Sequence, residues 1–151
     1  MNAFLWMLII TVAPFIELRG SIPVGVASGL NPYLVFVSAT VANIILIPIL
    51  FLILSFVFDK LGDIPVIGKW VEKRLEKIDK KAGKYVDKYG YVGLALFVAI
   101  PLPGSGAYSG TLAAFLLSMD KKKSMCAIAV GVLIAGLIVS LASLGILNLV
   151  L

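Results

Sequence analysis

The chain has 151 residues, of which 61% are hydrophobic and only 14% charged, with a mean hydropathy of +1.09; a soluble domain is about half apolar and about a quarter charged, so this is the composition of an integral membrane protein, read as one domain. The net charge of +5 does not point to nucleic acid, because the basic residues collect in two stretches flanking apolar segments, as juxtamembrane charge does. There is no histidine, and Cys126 is the only cysteine, which excludes an intramolecular disulfide or a cysteine metal cluster and argues against a zinc site, a Ser-His-Asp hydrolase or a histidine phosphatase.

The N-terminus, Met1-Asn2-Ala3-Phe4, lacks the positive region of a cleavable signal peptide, so the first apolar segment is expected to be retained. That segment, Phe4 to Ile16, is 13 residues long. A spanning helix needs about 20, and a stretch of about 10–14 is more often re-entrant or interfacial. Within Ala13-Pro14-Phe15-Ile16-Glu17-Leu18-Arg19-Gly20-Ser21-Ile22-Pro23 lie Glu17 and Arg19, the only charged residues among the first 58. Each costs about 2.5–3.5 kcal/mol at the bilayer centre by insertion scales and more by other estimates, so such residues face a protein interior or a watery path. Pro14 and Pro23 remove backbone donors and Gly20 permits unusual backbone angles. The stretch reads as the tip of a hairpin dipping into the membrane, with a short ascending piece from Ile22 to Leu30 and a break at Asn31-Pro32.

Tyr33 to Phe58 runs 26 residues without a charge and is long enough to span, with Pro48 expected to kink it. Asp59 to Lys88 holds nine of the thirteen basic residues and six acids. Val71, Leu75, Ile78, Ala82, Tyr85 and Tyr89 recur at helical spacing there, which predicts an amphipathic helix on the membrane surface, its lysines facing anionic lipid.

Tyr91 to Ile100 is again short. A second tip follows, Pro101-Leu102-Pro103-Gly104-Ser105-Gly106-Ala107-Tyr108-Ser109-Gly110. Thr111 to Met119 leads to Asp120-Lys121-Lys122-Lys123, and Ser124 to Leu151 is a second uncharged span, in which Gly131, Gly136 and Gly145 are candidates for close helix approach. The order of short piece, tip, short piece, polar break and long span thus occurs twice. Two interrupted segments at corresponding places in two halves are a sequence pointer to a transporter site.

Charge tests the topology independently. If both interrupted segments re-enter and only the long helices cross, twelve of the thirteen basic residues share one face, as the positive-inside rule favours. The expected fold is therefore all-α and integral to the membrane. It comprises two inverted repeats, each a re-entrant helical hairpin plus one transmembrane helix (residues 1–58 and 91–151), linked by the amphipathic surface helix of residues 59–90. The expected location is the cell membrane, with the basic linker and Lys121–Lys123 cytoplasmic and both termini outside.

A half-helix whose N-terminus points at the membrane centre offers amide donors and a positive dipole end. Such half-helices are expected to begin near Ser21 and near Ser105, so both tips suit an anion. Arg19 offers bidentate binding of phosphate or carboxylate, and Ser21, Ser105, Tyr108, Ser109 and Thr111 offer neutral hydrogen bonds. Glu17, the one carboxylate at membrane depth, is the candidate for proton or sodium coupling. The alternatives are local: Glu17 and Arg19 neutralising each other to lock the hairpin, prolines and glycines serving tight turning alone, and Asn43 either packing between helices or touching substrate.

Glu17-Leu18-Arg19-Gly20-Ser21-Ile22-Pro23-Val24-Gly25 and the second tip, Pro101 to Gly110, resemble the two signatures of the small multidrug export protein family, and the resemblance covers nearly the whole chain. That family is regarded as related to the DedA (SNARE-associated, VTT domain) membrane proteins, which share an inverted pair of re-entrant hairpins and include members that move lipid carriers such as undecaprenyl phosphate. The resemblance implies a small transporter with its substrate site between opposed tips. Glu17 and Arg19 match the acidic and basic positions of the first hairpin motif. The second tip departs from DedA proteins, which carry an arginine there.

The expected function is thus a lipid-carrier flippase or ion-coupled transporter of an anionic substrate. Arg19, Ser21, Pro23, Gly104, Ser105, Gly106 and Tyr108 are its expected substrate contacts, Glu17 its coupling residue, and Asn43, Ser109 and Thr111 further candidates. The alternatives are a proton-coupled exporter of cationic drugs or a non-transporting lipid-binding scaffold. No enzymatic activity, metal or cofactor is expected. The expected partners are membrane lipids, and a homodimer would thicken the thin wall that two spans and two hairpins provide.

Overall fold

The computed structural model describes residues 2–14, 16–61, 84–102 and 104–150, and all its regular elements are helices. They are α1 (Ala3–Val12), α2 (Glu17–Ala27), α3 (Pro32–Leu61), α4 (Lys84–Ala99), α5 (Ala107–Leu116) and α6 (Lys121–Val150). Two are long and apolar enough to cross a membrane, Pro32–Phe58 within α3 and Lys121–Ile146 within α6, with mean hydropathies of 2.8 and 2.6. The amphipathic helix predicted over Asp59 to Lys88 lies almost wholly outside the described residues; only its last turns fall in α4, which kinks at Gly90, where φ is 57°.

The turns that join the short helices to the long ones are built alike. At the end of α2, Leu30 N–H donates to the Gly25 carbonyl at 3.2 Å and Gly29 N–H to Val26 at 3.0 Å; at the end of α5, Met119 donates to Ala114 at 3.0 Å and Ser118 to Phe115 at 3.1 Å. Each is a six-to-one bond enclosing a five-to-two bond around a left-handed residue, the Schellman stop. Gly29 adopts φ 77° at no steric cost, whereas Ser118 adopts φ 51° with a side chain in place. The next helix then starts on a side-chain cap: Asn31 Oδ1 accepts from the amides of Tyr33 (2.9 Å) and Leu34 (3.3 Å), and Asp120 Oδ1 from Lys123 (2.9 Å). These are Asx caps, with Pro32 at the first helical position where its missing N–H costs nothing. The two stop bonds and the Leu34 cap bond of the first turn thus recur 89 positions later in the second, Gly25 against Ala114, Val26 against Phe115 and Asn31 against Asp120, while the Tyr33 cap bond has no counterpart there.

The long helices pack antiparallel. Lys121 Nζ at the start of α6 donates to Ser55 Oγ near the end of α3 at 3.0 Å. Near the other end of α3, a Cβ on Gly136 would lie 2.8 Å from Thr40 Oγ1. Gly131 brings α6 equally close to α4, since a Cβ there would meet the Ala95 carbonyl at 2.6 Å. These two glycines are the close approaches expected of α6; Gly145 has open space around it and is not one. α3 continues as helix through Pro48, the position where a kink is expected. Asp120 N–H, just after α5, donates to Tyr91 Oη of α4 at 3.3 Å, and Phe115 of α5 packs tilted against Phe58 of α3 with ring centroids 5.0 Å apart. The core between these elements is aliphatic, with Met7, Leu18, Ile22, Val35, Ile47, Leu94, Val98, Ile128 and Val132 all buried. Large apolar side chains outside it, such as Leu52 and Leu141, point outward, which is the pattern of a lipid-facing surface.

Candidate functional site between the two helix breaks

The pairs α1–α2 and α4–α5 are each a helix that stops and restarts, so each break leaves carbonyls at one end and amides at the other without helical partners. In a membrane these groups must find partners within the protein. α1 stops at Val12 and α2 starts at Glu17; α4 stops at Ala99 and α5 starts at Ala107. The first restart comes earlier than the expected position near Ser21. The physical reason is that Glu17 itself takes a left-handed backbone angle, φ 51°, and opens the helix. Arg19, Gly20 and Ser21 therefore stand in the first turns of α2 and not in the tip.

The charged side chains of the first break serve the second. Glu17 Oε2 accepts from Ala107 N–H at 2.9 Å, and Oε1 from Tyr108 N–H at 3.1 Å. A carboxylate thereby caps the positive end of α5. Arg19 Nη2 donates to the carbonyls of Val98 (3.1 Å), Ile100 (3.2 Å) and Ser105 (3.1 Å) and to Ser105 Oγ (3.2 Å). A cation thereby caps the negative end of α4. The two charges also face each other, with Arg19 Nη1 3.7 Å from Glu17 Oε2. Glu17 is only 3% exposed. An isolated carboxylate in such a place would be prohibitive; two amides and a guanidinium make it tolerable.

Ser105 and Gly106 complete the fit. Ser105 Oγ donates back to the Ile100 carbonyl at 2.7 Å or to Leu102 at 2.9 Å. Gly106 leaves the space that Glu17 fills, because a Cβ there would run into Glu17 Oε2 and Cδ and Arg19 Nη1. Tyr108 returns the favour across the interface, its hydroxyl donating to the Val12 carbonyl at the end of α1 at 2.7 Å.

The first break is closed by a neutral group. With its amide oxygen turned toward Leu18, Asn43 of α3 accepts from Leu18 N–H at 3.1 Å and donates to the Thr11 carbonyl at 3.2 Å. One fully buried amide side chain bridges the end of α1 to the start of α2.

Of the candidates expected from sequence, the structure brings Glu17, Arg19, Ser105, Gly106 and Tyr108 together and sets Asn43 beside them through Leu18. Pro23 is exposed within α2 and away from this cluster, and Gly104 is an exposed left-handed turn residue, φ 81°. Ser109 is half-buried one position after Tyr108. Ser21 and Thr111 are fully buried, and their hydroxyls, like Arg19 Nε, have no hydrogen-bond partner. The amides of Ala107 and Tyr108 are the donors expected at the half-helix start near Ser105, taken here by Glu17 and not by a ligand. The groups that sequence reading missed are the carbonyls at the helix ends, those of Thr11, Val12, Val98 and Ile100, for which the sequence leaves no signal.

Two helices long and apolar enough to cross a membrane, packed with a pair of broken ones that hold the sole buried ion pair among the described residues between their breaks, are the architecture of a helical membrane protein. Comparison with known families makes this specific. The model of the family described as "Putative small multi-drug export protein" matches residues 17–138, a stretch that opens on Glu17, and the chain belongs to that family. No curated protein and no solved structure matches it.

Proposed function

We propose that this chain is a small ion-coupled exporter in which Glu17 is the exchangeable group. The observation that carries the reading is the placement of Glu17: the one carboxylate buried at the breaks is also what holds the breaks together, through Ala107 and Tyr108. While Glu17 is ionised, α5 is capped and the tips stay closed. When a proton or a cationic substrate takes the carboxylate, the α5 amides and Arg19 lose their counter-charge and the second tip is released. Proton and substrate compete for one group, which is what exchange transport requires. Arg19 then acts as a fixed strut on α4, since its Nη2 is committed to three carbonyls and a hydroxyl.

In this reading each half is a re-entrant hairpin plus one crossing helix, and the halves are inverted copies. Support comes from the turns matched 89 residues apart, the antiparallel α3 and α6, and the meeting of Tyr91 with Asp120 at the feet of one hairpin. Lys121 at Ser55 supports a shared face for the end of α3 and the lysines of α6, which the positive-inside rule makes cytoplasmic, with the termini outside the cell membrane. The family's export label is consistent with this direction of work. The reading assigns no catalysis, and its partners are membrane lipids and a second copy of the chain.

A second reading is favoured by one observation: two amides and Arg19 already hold a carboxylate, so an anionic substrate such as a polyprenyl phosphate would find a ready site on displacing Glu17. It would also account for the likeness to DedA proteins. Proteoliposomes under an imposed pH gradient separate the two. The exporter reading expects gradient-driven uptake of tetraphenylphosphonium that Glu17→Gln abolishes and Arg19→Lys reduces. Uptake that survives Glu17→Gln sinks it. Movement of a fluorescent phosphate-headed lipid between leaflets, lost in Arg19→Gln, would establish the second reading in its place.

A further inference from the structure

We infer that Asn43 is the positioning residue of this site: it pins the first break as a fixed post, so that the second break is the one that moves. This rests on the exchange role of Glu17 proposed above and adds which side of the interface responds to it.

The argument starts from the unlike ways in which two like breaks are closed. Across the first, Asn43 joins Thr11 and Leu18 from α3, the crossing helix of the same half, and α3 packs on both α1 and α2. An amide carries no charge, and no proton or ion exchange disturbs it. Across the second, no described side chain on α6 does the same work. The position 89 residues after Asn43 is Val132, buried and apolar, with no group to offer either helix end. The α4 and α5 ends are met by Arg19 and Glu17 from the other half. Those groups flank Leu18, the residue whose amide Asn43 holds, so the register of both charges is set by one neutral bond pair.

The consequence is directional. Loss of the Glu17 charge weakens its hold on Ala107 and Tyr108, leaving one acceptor for two amides, but leaves Leu18 on Asn43. Loss of Asn43 frees Leu18 and, with it, the footing of Glu17 and Arg19. The ionisable groups facing this junction are Glu17 and Arg19 on α2 and Tyr108 on α5.

Amide hydrogen exchange at Leu18, Ala107 and Tyr108, followed by NMR in micelles and expressed as protection factors, tests this without any substrate. In Glu17→Gln, Ala107 and Tyr108 are expected to exchange on the order of tenfold faster, the effect of weakening a helix cap by one acceptor and its charge, with Leu18 unchanged. In Asn43→Leu all three are expected to speed up. Asn43→Asp provides a readout that packing alone would not move. Its protonated carboxyl can donate to Thr11 and accept from Leu18 as the amide does, whereas its ionised form cannot donate. Its protection relative to wild type at the same pH is therefore expected to be near one in acid and to fall toward that of Asn43→Leu in base. Leu18 staying protected in Asn43→Leu, Leu18 opening as far as Ala107 in Glu17→Gln, or a flat pH profile in Asn43→Asp would each overturn the inference. If Asn43→Leu fails to fold, Glu17→Gln and Asn43→Asp still decide it. Transport that is independent of Glu17 would sink the exporter reading while leaving the exchange pattern to stand or fall alone.

Discussion

Glu17 and Ala107 are 90 residues apart in sequence, and the carboxylate of one caps the helix that begins at the other, at 2.9 Å. The side chain at the first helix break thereby supplies the cap that Gly106, the N-cap of the second, cannot. This bond and its companion at Tyr108 tie the start of α2 to the start of α5.

Removing either charge leaves the other buried and unpaired. Glu17→Ala and Arg19→Met are each expected to cost about 3–5 kcal/mol of stability, read as a drop in melting temperature in detergent. Glu17→Gln keeps one acceptor for the α5 amides and should cost less, about 1–3 kcal/mol. The double variant Glu17→Gln with Arg19→Met should be less damaging than the single losses added together, because the two residues share one interaction.

Gly106 has no room for a side chain beyond its hydrogen. Gly106→Ala sets a methyl group against Glu17 Oε2 and Arg19 Nη1. Glu17 must then leave the α5 amides, with an expected cost of about 1–3 kcal/mol and faster amide exchange at Ala107 and Tyr108. Gly104→Ala makes a useful contrast: its φ of 81° makes it strained, yet a Cβ there has nothing to strike, so the Glu17 cap should survive.

Tyr108 ties α5 to the end of α1 by one hydroxyl bond to Val12, at 2.7 Å. Tyr108→Phe keeps the ring and deletes the bond, with an expected loss of about 1 kcal/mol. Because its backbone amide still holds Glu17, transport driven by a pH gradient should persist in this variant.

Ser118 occupies the left-handed position that Gly29 fills in the other half, φ 51° against 77°. A side chain in that conformation costs about 1–2 kcal/mol. Ser118→Gly is expected to raise the melting temperature and Gly29→Ala to lower it, with no effect on the Glu17 cap in either case.

Much of the architecture was open to reading from residue order. Hydropathy and length identify Tyr33–Phe58 and Ser124–Leu151 as spans, because covering about 30 Å of hydrocarbon leaves a long uncharged run that little else produces. Asn31-Pro32 and Asp120 to Lys123 mark the breaks before the two spans, and the structure puts an Asx cap at both. Glu17 and Arg19 stand out because charge in an apolar segment is costly wherever it lies. The gathering of Ser105, Gly106 and Tyr108 about them followed from the two tips being alike.

What residue order left undecided is where those charges point. It allowed Glu17 and Arg19 to await a ligand, to lock their own hairpin, or to couple transport, and it allowed Asn43 to be a packing residue. Only the tertiary structure turns Glu17 onto Ala107, Arg19 onto Val98 and Ile100, and Asn43 onto Leu18. The reason is physical. Hydropathy and caps are properties of neighbours in the chain, whereas the partners here are amides and carbonyls that every residue carries. Which of them lie unpaired beside a given side chain depends on how the two broken helices meet.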